Sequence, residues 1–270
     1  MTDRTTEPPA SAPDAQTAST NPVLVEGTRG GLLESAHRGA AAVADTRGRL
    51  RHAWGDVTRP VYPRSAVKPL QALPLVETGA ADRFTLSDVE LALACASHNG
   101  EPRQVETVKA WLERLHLTED DLECGPHAPL NATAAEALVR DGRNPTRLHN
   151  NCSGKHAGYL TLARHLGVPP RGYSRPDHPV QRVVTRTLAE MADVDAEPVP
   201  VAVDGCGVPT LGLPLARLAA AMARLAAAHD LSPARAAAAE RVFEAMGREA
   251  AMVAGRGRFC TAVIRATGGA

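Results

Sequence analysis

Aromatic residues make up only 3% of this 270-residue chain, so the stacking platforms that grip single-stranded nucleic acid or sugar rings would be hard to assemble. Net charge is missing as well. Thirty basic residues balance thirty acidic ones, which leaves no global field to draw in nucleic acid or an anionic membrane. No apolar run reaches the roughly 18 residues of a membrane span; the segment richest in Ala and Leu, 211–228, is broken by Arg217 and Arg224. The first twenty residues are Thr, Ser, Pro, Ala and Asp with no apolar stretch, which excludes a secretory signal there and reads as a disordered tail over 1–21. Cysteine is scarce and unpaired in rhythm. Five cysteines, at 95, 124, 152, 206 and 260, argue against a disulfide scaffold and for reduced thiols in a cytoplasmic protein. With 44% hydrophobic residues the remaining 22–270 is long and apolar enough to bury a core as one soluble domain, and small polar substrates suit it best.

Lysine is the most informative scarcity. Only Lys68, Lys109 and Lys155 break an otherwise all-arginine set of basic residues. A base-composition bias would replace lysine wherever a surface cation suffices. Arginine stays protonated in proteins, whereas a desolvated lysine does not, so a site that needs a neutral amine must keep lysine.

Strand-like segments come first: 22–26, 33–45 and 50–54, the last two joined as a hairpin through Thr46-Arg47-Gly48-Arg49. From Pro63 the pattern turns helical. Capping boxes are expected at Ser87 to Glu90 and Thr133 to Glu136, and Pro102, Pro179 and Pro233 suit first helical turns. A short strand over 197–203 precedes the turn-rich 204–210, and Ala-rich helices run on to about residue 254. Strands followed by many helices, without alternation, predict an α+β fold. Three early strands make an incomplete sheet, and the chain reaches Ala270 just where another strand is due, so a C-terminal truncation is expected.

Four motifs could carry chemistry. Ser65 and Lys68 stand three apart at a predicted helix start, which brings a hydroxyl and an amine to one face. Such a pair works as nucleophile and base only if burial or a second cation keeps the lysine neutral. Ala96-Ser97-His98-Asn99-Gly100 follows an apolar helix and is either a polar inter-helix loop or part of a cleft wall. His149-Asn150-Asn151-Cys152-Ser153-Gly154-Lys155-His156 enters a helix that should stop at Gly167. It is no phosphate loop, because GxxxxGK would need glycine at 149 and Ser or Thr at 156. Asp204-Gly205-Cys206-Gly207 is a strand-end turn that exposes a carboxylate and a thiol. By spacing alone, Cys152 and Cys206 are either two ordinary semi-buried thiols or zinc ligands.

Together, SAVK at 65–68, ASHNG at 96–100, HNNCSGKHAG at 149–158 and VDGCGVPT at 203–210 resemble the thermolabile, Rhizobium-type (class 3) L-asparaginases over about 22–270. The resemblance implies a fold like that of serine β-lactamases and penicillin-binding proteins, with an antiparallel sheet flanked by helices, a mainly helical lobe, and a homodimer. It implies Ser65 as nucleophile with Lys68 as its base, Ser97 as a second catalytic serine, and zinc held by Cys152, Lys155 and Cys206. Arg64, His156 and Asp204 match pocket-lining positions; by charge, Arg64 suits a substrate carboxylate and Asp204 a substrate ammonium. One departure stands out. The family has a further strand whose lysine pairs with the second serine, and no lysine follows Lys155. Ser97 is therefore expected to lack its partner, and the chain to show weak or no activity.

The reaction implied is hydrolysis of L-asparagine to L-aspartate and ammonia through an acyl-enzyme on Ser65, in a dry crevice. Two rivals remain at this point: a β-lactamase- or esterase-like serine hydrolase using the same Ser-Lys pair, and a non-catalytic, zinc-stapled binding protein.

Overall fold

The computed structural model of the chain describes residues 21–195 and 199–269. All but the last residue of the expected tail, and the first two residues of the expected strand over 197–203, lie outside them. The chain opens with β1 (Val23–Arg29), β2 (Leu32–Arg38), β3 (Ala41–Ala44), β4 (Leu50–Trp54) and the short β5 (Pro60–Val61). A 3-10 turn, Arg64–Val67, leads into α1 (Lys68–Glu77), followed by α2 (Ala80–Arg83), α3 (Asp88–Ala94) and α4 (Pro102–Arg114). After a 3-10 turn at Glu119–Asp121 come α5 (Ala132–Arg140), another such turn at Arg147–His149, α6 (Ser153–Leu166) and α7 (Pro179–Ala192). Then β6 (Val201–Val203), β7 (Pro209–Leu211) and β8 (Leu213–Pro214) precede α8 (Leu215–Ala227), α9 (Pro233–Arg248), α10 (Ala250–Val253) and α11 (Phe259–Ala266).

This is an α+β chain, as its sequence order predicts, but its strands form four separate two-stranded antiparallel ladders: β1-β2, β3-β4, β5-β8 and β6-β7. The single strand expected over 33–45 is two. The break falls at Gly39, whose N–H turns away to the Pro22 carbonyl, so β2 pairs back on β1 while β3 pairs with β4. The hairpin turn expected at 46–49 is present. The Asp45 carboxylate accepts the Arg47 and Arg49 N–H groups and holds it closed.

Helix boundaries follow their caps. Ser87 and Glu90 make the expected reciprocal box, and Pro102, Pro179 and Pro233 occupy first turns. The box expected at Thr133 does not form. Asn131, two residues earlier, takes the N-cap by accepting the Ala134 N–H, which places Thr133 inside α5. Gly167, at φ +68°, ends α6 as expected.

The core lies among α1, α3, α6, α7 and α9. Lys68 to Leu75 of α1 are all buried, with Leu70 and Leu73 fully enclosed; each such leucine contributes about 1.5–3 kcal/mol of burial. Arg235 of α9 ties Glu77 of α1 to Glu190 of α7. Among the described residues no helix is long and apolar enough to cross a membrane.

One contact brings two of the sequence motifs together. α6 lies so close to α3 that a Cβ on Gly154 would overlap the Leu93 carbonyl oxygen and approach its Cγ to 2.6 Å. Gly154→Ala is therefore expected to lower stability by about 1–3 kcal/mol, which at this size means a melting temperature lower by several degrees. An unchanged thermal melt would refute this close packing.

Candidate active site

The 3-10 turn at Arg64–Val67 presents Ser65 at the surface, while Lys68, the first residue of α1, points inward with 0% exposure. Arg64 adopts φ +49°, a left-handed conformation rare for a residue with a side chain and typical of functional turns. The Lys68 Nζ donates to the Ala96 carbonyl, to Ser97 Oγ at 2.7 Å and to Cys152 Sγ at 3.2 Å. Ser97 Oγ in turn bonds Ser65 Oγ at 2.7 Å.

One expectation is corrected by this chain of contacts. Lys68 does not hydrogen-bond Ser65 directly, because its donors are taken by buried acceptors, and Ser97 bridges the two. Ser97, expected to lack the family's further lysine, is hydrogen-bonded to Lys68 instead. A second correction concerns the dry crevice. The base is dry, Ser97 is half-buried, and Ser65 is exposed, since no described element covers the outer side of the turn.

Burial pushes the Lys68 amine below its usual value, and the nearby Lys155 adds to the effect while Cys152 opposes it. The Cys152 thiol is lowered to about 5 by a hydrogen bond from Cys206, with Lys68 and Lys155 stabilising the thiolate against the opposing cost of burial. Cys206 is raised, first by the same pairing with Cys152 and then by burial. Lys155 Nζ donates to Cys206 Sγ at 3.1 Å. So Cys152, Lys155 and Cys206 lie together beside Lys68 and Ser97.

Among the described residues no group of three or more His, Cys, Asp and Glu side chains is arranged for a metal, so a site here has to include Lys155. Cysteine sulfurs are zinc donors, and the Lys155 amine joins them only when neutral. Although burial opposes it, neighbouring negative groups hold Lys155 above its ordinary value, so a metal has to displace a proton to use it. His156 lies against this donor set, with its ring facing Cys206. The Tyr173 hydroxyl accepts the Glu123 N–H at 2.8 Å and shares a hydrogen bond with His156 Nδ1 at 2.7 Å. Burial holds the His156 pKa below its ordinary value.

Asp204 closes the β6-β7 turn, with its N–H on the Val208 carbonyl and Gly207 at φ +93°. Its carboxylate accepts Arg64 Nε and the Gly205 N–H, both at 2.8 Å, and these bonds hold its pKa low against the cost of burial. Arg64 and Asp204, expected to grip opposite ends of a substrate, therefore pair with each other.

Sequence reasoning gave no role to several residues that fix this site. His98, buried and held neutral by burial, with a pKa of about 3, accepts the Gly100 N–H on Nδ1 and so donates Nε2–H to Ser153 Oγ at 2.9 Å. That bond ties the Ser97 loop to the Cys152 loop. Arg258 and Arg256 clamp the same loop through Asn99 and Glu101. Only a fold brings residues so distant in sequence onto one loop. All nine residues singled out for chemistry fall in this one region, in three groups: Ser65, Ser97 and Lys68; Arg64 with Asp204; and Cys152, Lys155, Cys206 and His156.

A family model described as L-asparaginase II matches residues 25–270. No curated protein matches the chain.

Proposed function

Since the chain belongs to the L-asparaginase II family and is an amidohydrolase of asparagine, we propose that it cleaves the side-chain amide through the Ser65, Ser97 and Lys68 relay. The observation that carries this reading is the unbroken pair of 2.7 Å bonds from Ser65 Oγ through Ser97 Oγ to Lys68 Nζ. With Lys68 neutral, its lone pair accepts the Ser97 proton as Ser97 accepts that of Ser65. The Ser65 oxygen then bonds to the amide carbon. Backbone N–H groups at the start of the 3-10 turn stabilise the resulting oxyanion. The proton returns along the same path to the leaving nitrogen, ammonia departs, and water hydrolyses the acyl-enzyme. The exchange of one ion pair for two recognises the amino-acid end: Arg64 releases Asp204 to take the α-carboxylate, and Asp204 takes the α-ammonium.

Cys152, Lys155 and Cys206 would hold zinc, which supplies a Lewis acid or a structural staple next to this path. His156, whose ring faces Cys206, would line the substrate end of this site. The Ser-Lys turn heading a buried helix beside antiparallel strands supports a β-lactamase-like arrangement. A homodimer would cover exposed apolar side chains such as Leu24, Leu32 and Leu33 of the first hairpin.

The test is ammonia release from L-asparagine set beside hydrolysis of the β-lactam nitrocefin, with zinc in the same preparation measured by elemental analysis. Ammonia without nitrocefin turnover, and about one zinc per chain, is the expected result. Nitrocefin turnover alone would transfer the relay to the β-lactam reading, and zinc with neither turnover would make this a stapled binding protein.

A further inference from the structure

A second cleft, of about 630 Å³, lies between α4, α5 and the two 3-10 turns at Glu119–Asp121 and Arg147–His149. None of the serine, lysine or cysteine groups of the active site lines it. Its floor is apolar, made by Val105, Leu112, Leu117, Leu138 and Leu148. Charged residues on its walls include Lys109 and Asp141 as well as His149, Glu119 and Arg143.

His149 is only 7% exposed, and its ring is locked. The Thr146 N–H donates to Nδ1 at 3.0 Å, so the proton of the neutral ring sits on Nε2, which has no hydrogen-bond partner among the described residues. Glu119 also lines the cleft; its Oε2 is closed to solvent and unpaired, which leaves Oε1 as the oxygen an occupant meets. Arg143 has no carboxylate within ion-pair distance among the described residues. The exposed Arg143 lines this cleft together with Glu119 and His149, and the arginine and the glutamate act on His149 in opposite senses. A ring N–H, a guanidinium and a carboxylate on the walls of one cleft, above an apolar floor, complement a molecule with both charges at one end and a hydrocarbon body.

We propose that this cleft binds a zwitterionic α-amino acid with an apolar side chain, its carboxylate on His149 Nε2–H and Arg143 and its ammonium on Glu119. The side chain lies on the floor between Leu112 and Leu138. The site goes beyond the asparagine reaction. Gly100 and His149 border the cleft and belong to the loops that carry Ser97 and Cys152, so an occupant would press on the backs of both loops.

Isothermal titration of the full chain tests this, with L-phenylalanine, 3-phenylpropanoate and 2-phenylethylamine as probes. L-Phenylalanine is expected to bind about tenfold more tightly than either singly charged analogue. Glu119→Gln should remove that advantage for L-phenylalanine and leave 3-phenylpropanoate unaffected, and Arg64→Ala should leave L-phenylalanine binding intact. Leu138→Trp, which fills the cleft from α5, should abolish binding and gives a second route if Glu119→Gln misfolds. No heat at millimolar L-phenylalanine, equal affinity for the three probes, or loss of binding in Arg64→Ala would each overturn the proposal. Because the readout is heat of binding and not turnover, it stands or falls separately from the reaction proposed for the active site.

Discussion

Ser65→Ala is expected to abolish ammonia release from L-asparagine, a fall of roughly three orders of magnitude or more, since removal of an activated nucleophile leaves only binding and oxyanion stabilisation. Stability should hardly change. The side chain is exposed and its one hydrogen bond is to Ser97, and surface substitutions of this kind usually stay within about 0.5 kcal/mol. Loss of turnover with an unshifted melt would thus be chemical, not structural. The informative alternative is Ser97, which sits nearer the base and is half-buried. Mass spectrometry of the trapped acyl-enzyme separates the two, and an adduct on the Ser97 peptide with turnover kept in Ser65→Ala would reverse their roles.

Lys68→Arg should be almost as damaging, by about 10²- to 10⁴-fold in kcat/KM, although it keeps the positive charge. A guanidinium gives up no proton at working pH and has no lone pair for Ser97. In the parent enzyme, burial lowers the Lys68 pKa from its ordinary value, with Lys155 and the Cys152 and Cys206 sulfurs as the charged groups facing it. The sign follows from the base role. The amine is inert when protonated, so kcat/KM should rise with pH through the lowered pKa. A variant Lys68→Arg with near-parental kcat/KM would remove lysine from the proton path.

Much of the site was legible because its chemistry is local. Ser65 with Lys68, Cys152 with Lys155, and Asp204 with Cys206 each lie within one turn, and spacing alone puts such partners close. The α+β order and the proline and glycine helix ends were readable for the same reason. What escaped depends on depth and on distant chain. Whether Lys68 meets Ser65 or Ser97 is decided by how far α1 sinks beneath α3, and no spacing rule carries that. The split between β2 and β3 turns on one N–H at Gly39 finding Pro22, and the α5 cap on Asn131 outcompeting Thr133. The tautomers of His98 and His149 are set by the Gly100 and Thr146 N–H groups, and the His156 ring is placed by Tyr173, itself held by the Glu123 N–H.

The three relay groups run from open to enclosed: Ser65 in water, Ser97 at the threshold, Lys68 in the interior. In the proposed reaction, hydrolytic water would need no tunnel to reach an ester formed on the outermost oxygen, while the amine two links away would not meet the solvent that swamps its proton affinity. Such a layout favours a short-lived ester and a poor acyl donor to other nucleophiles, because the first competitor at the door is always water.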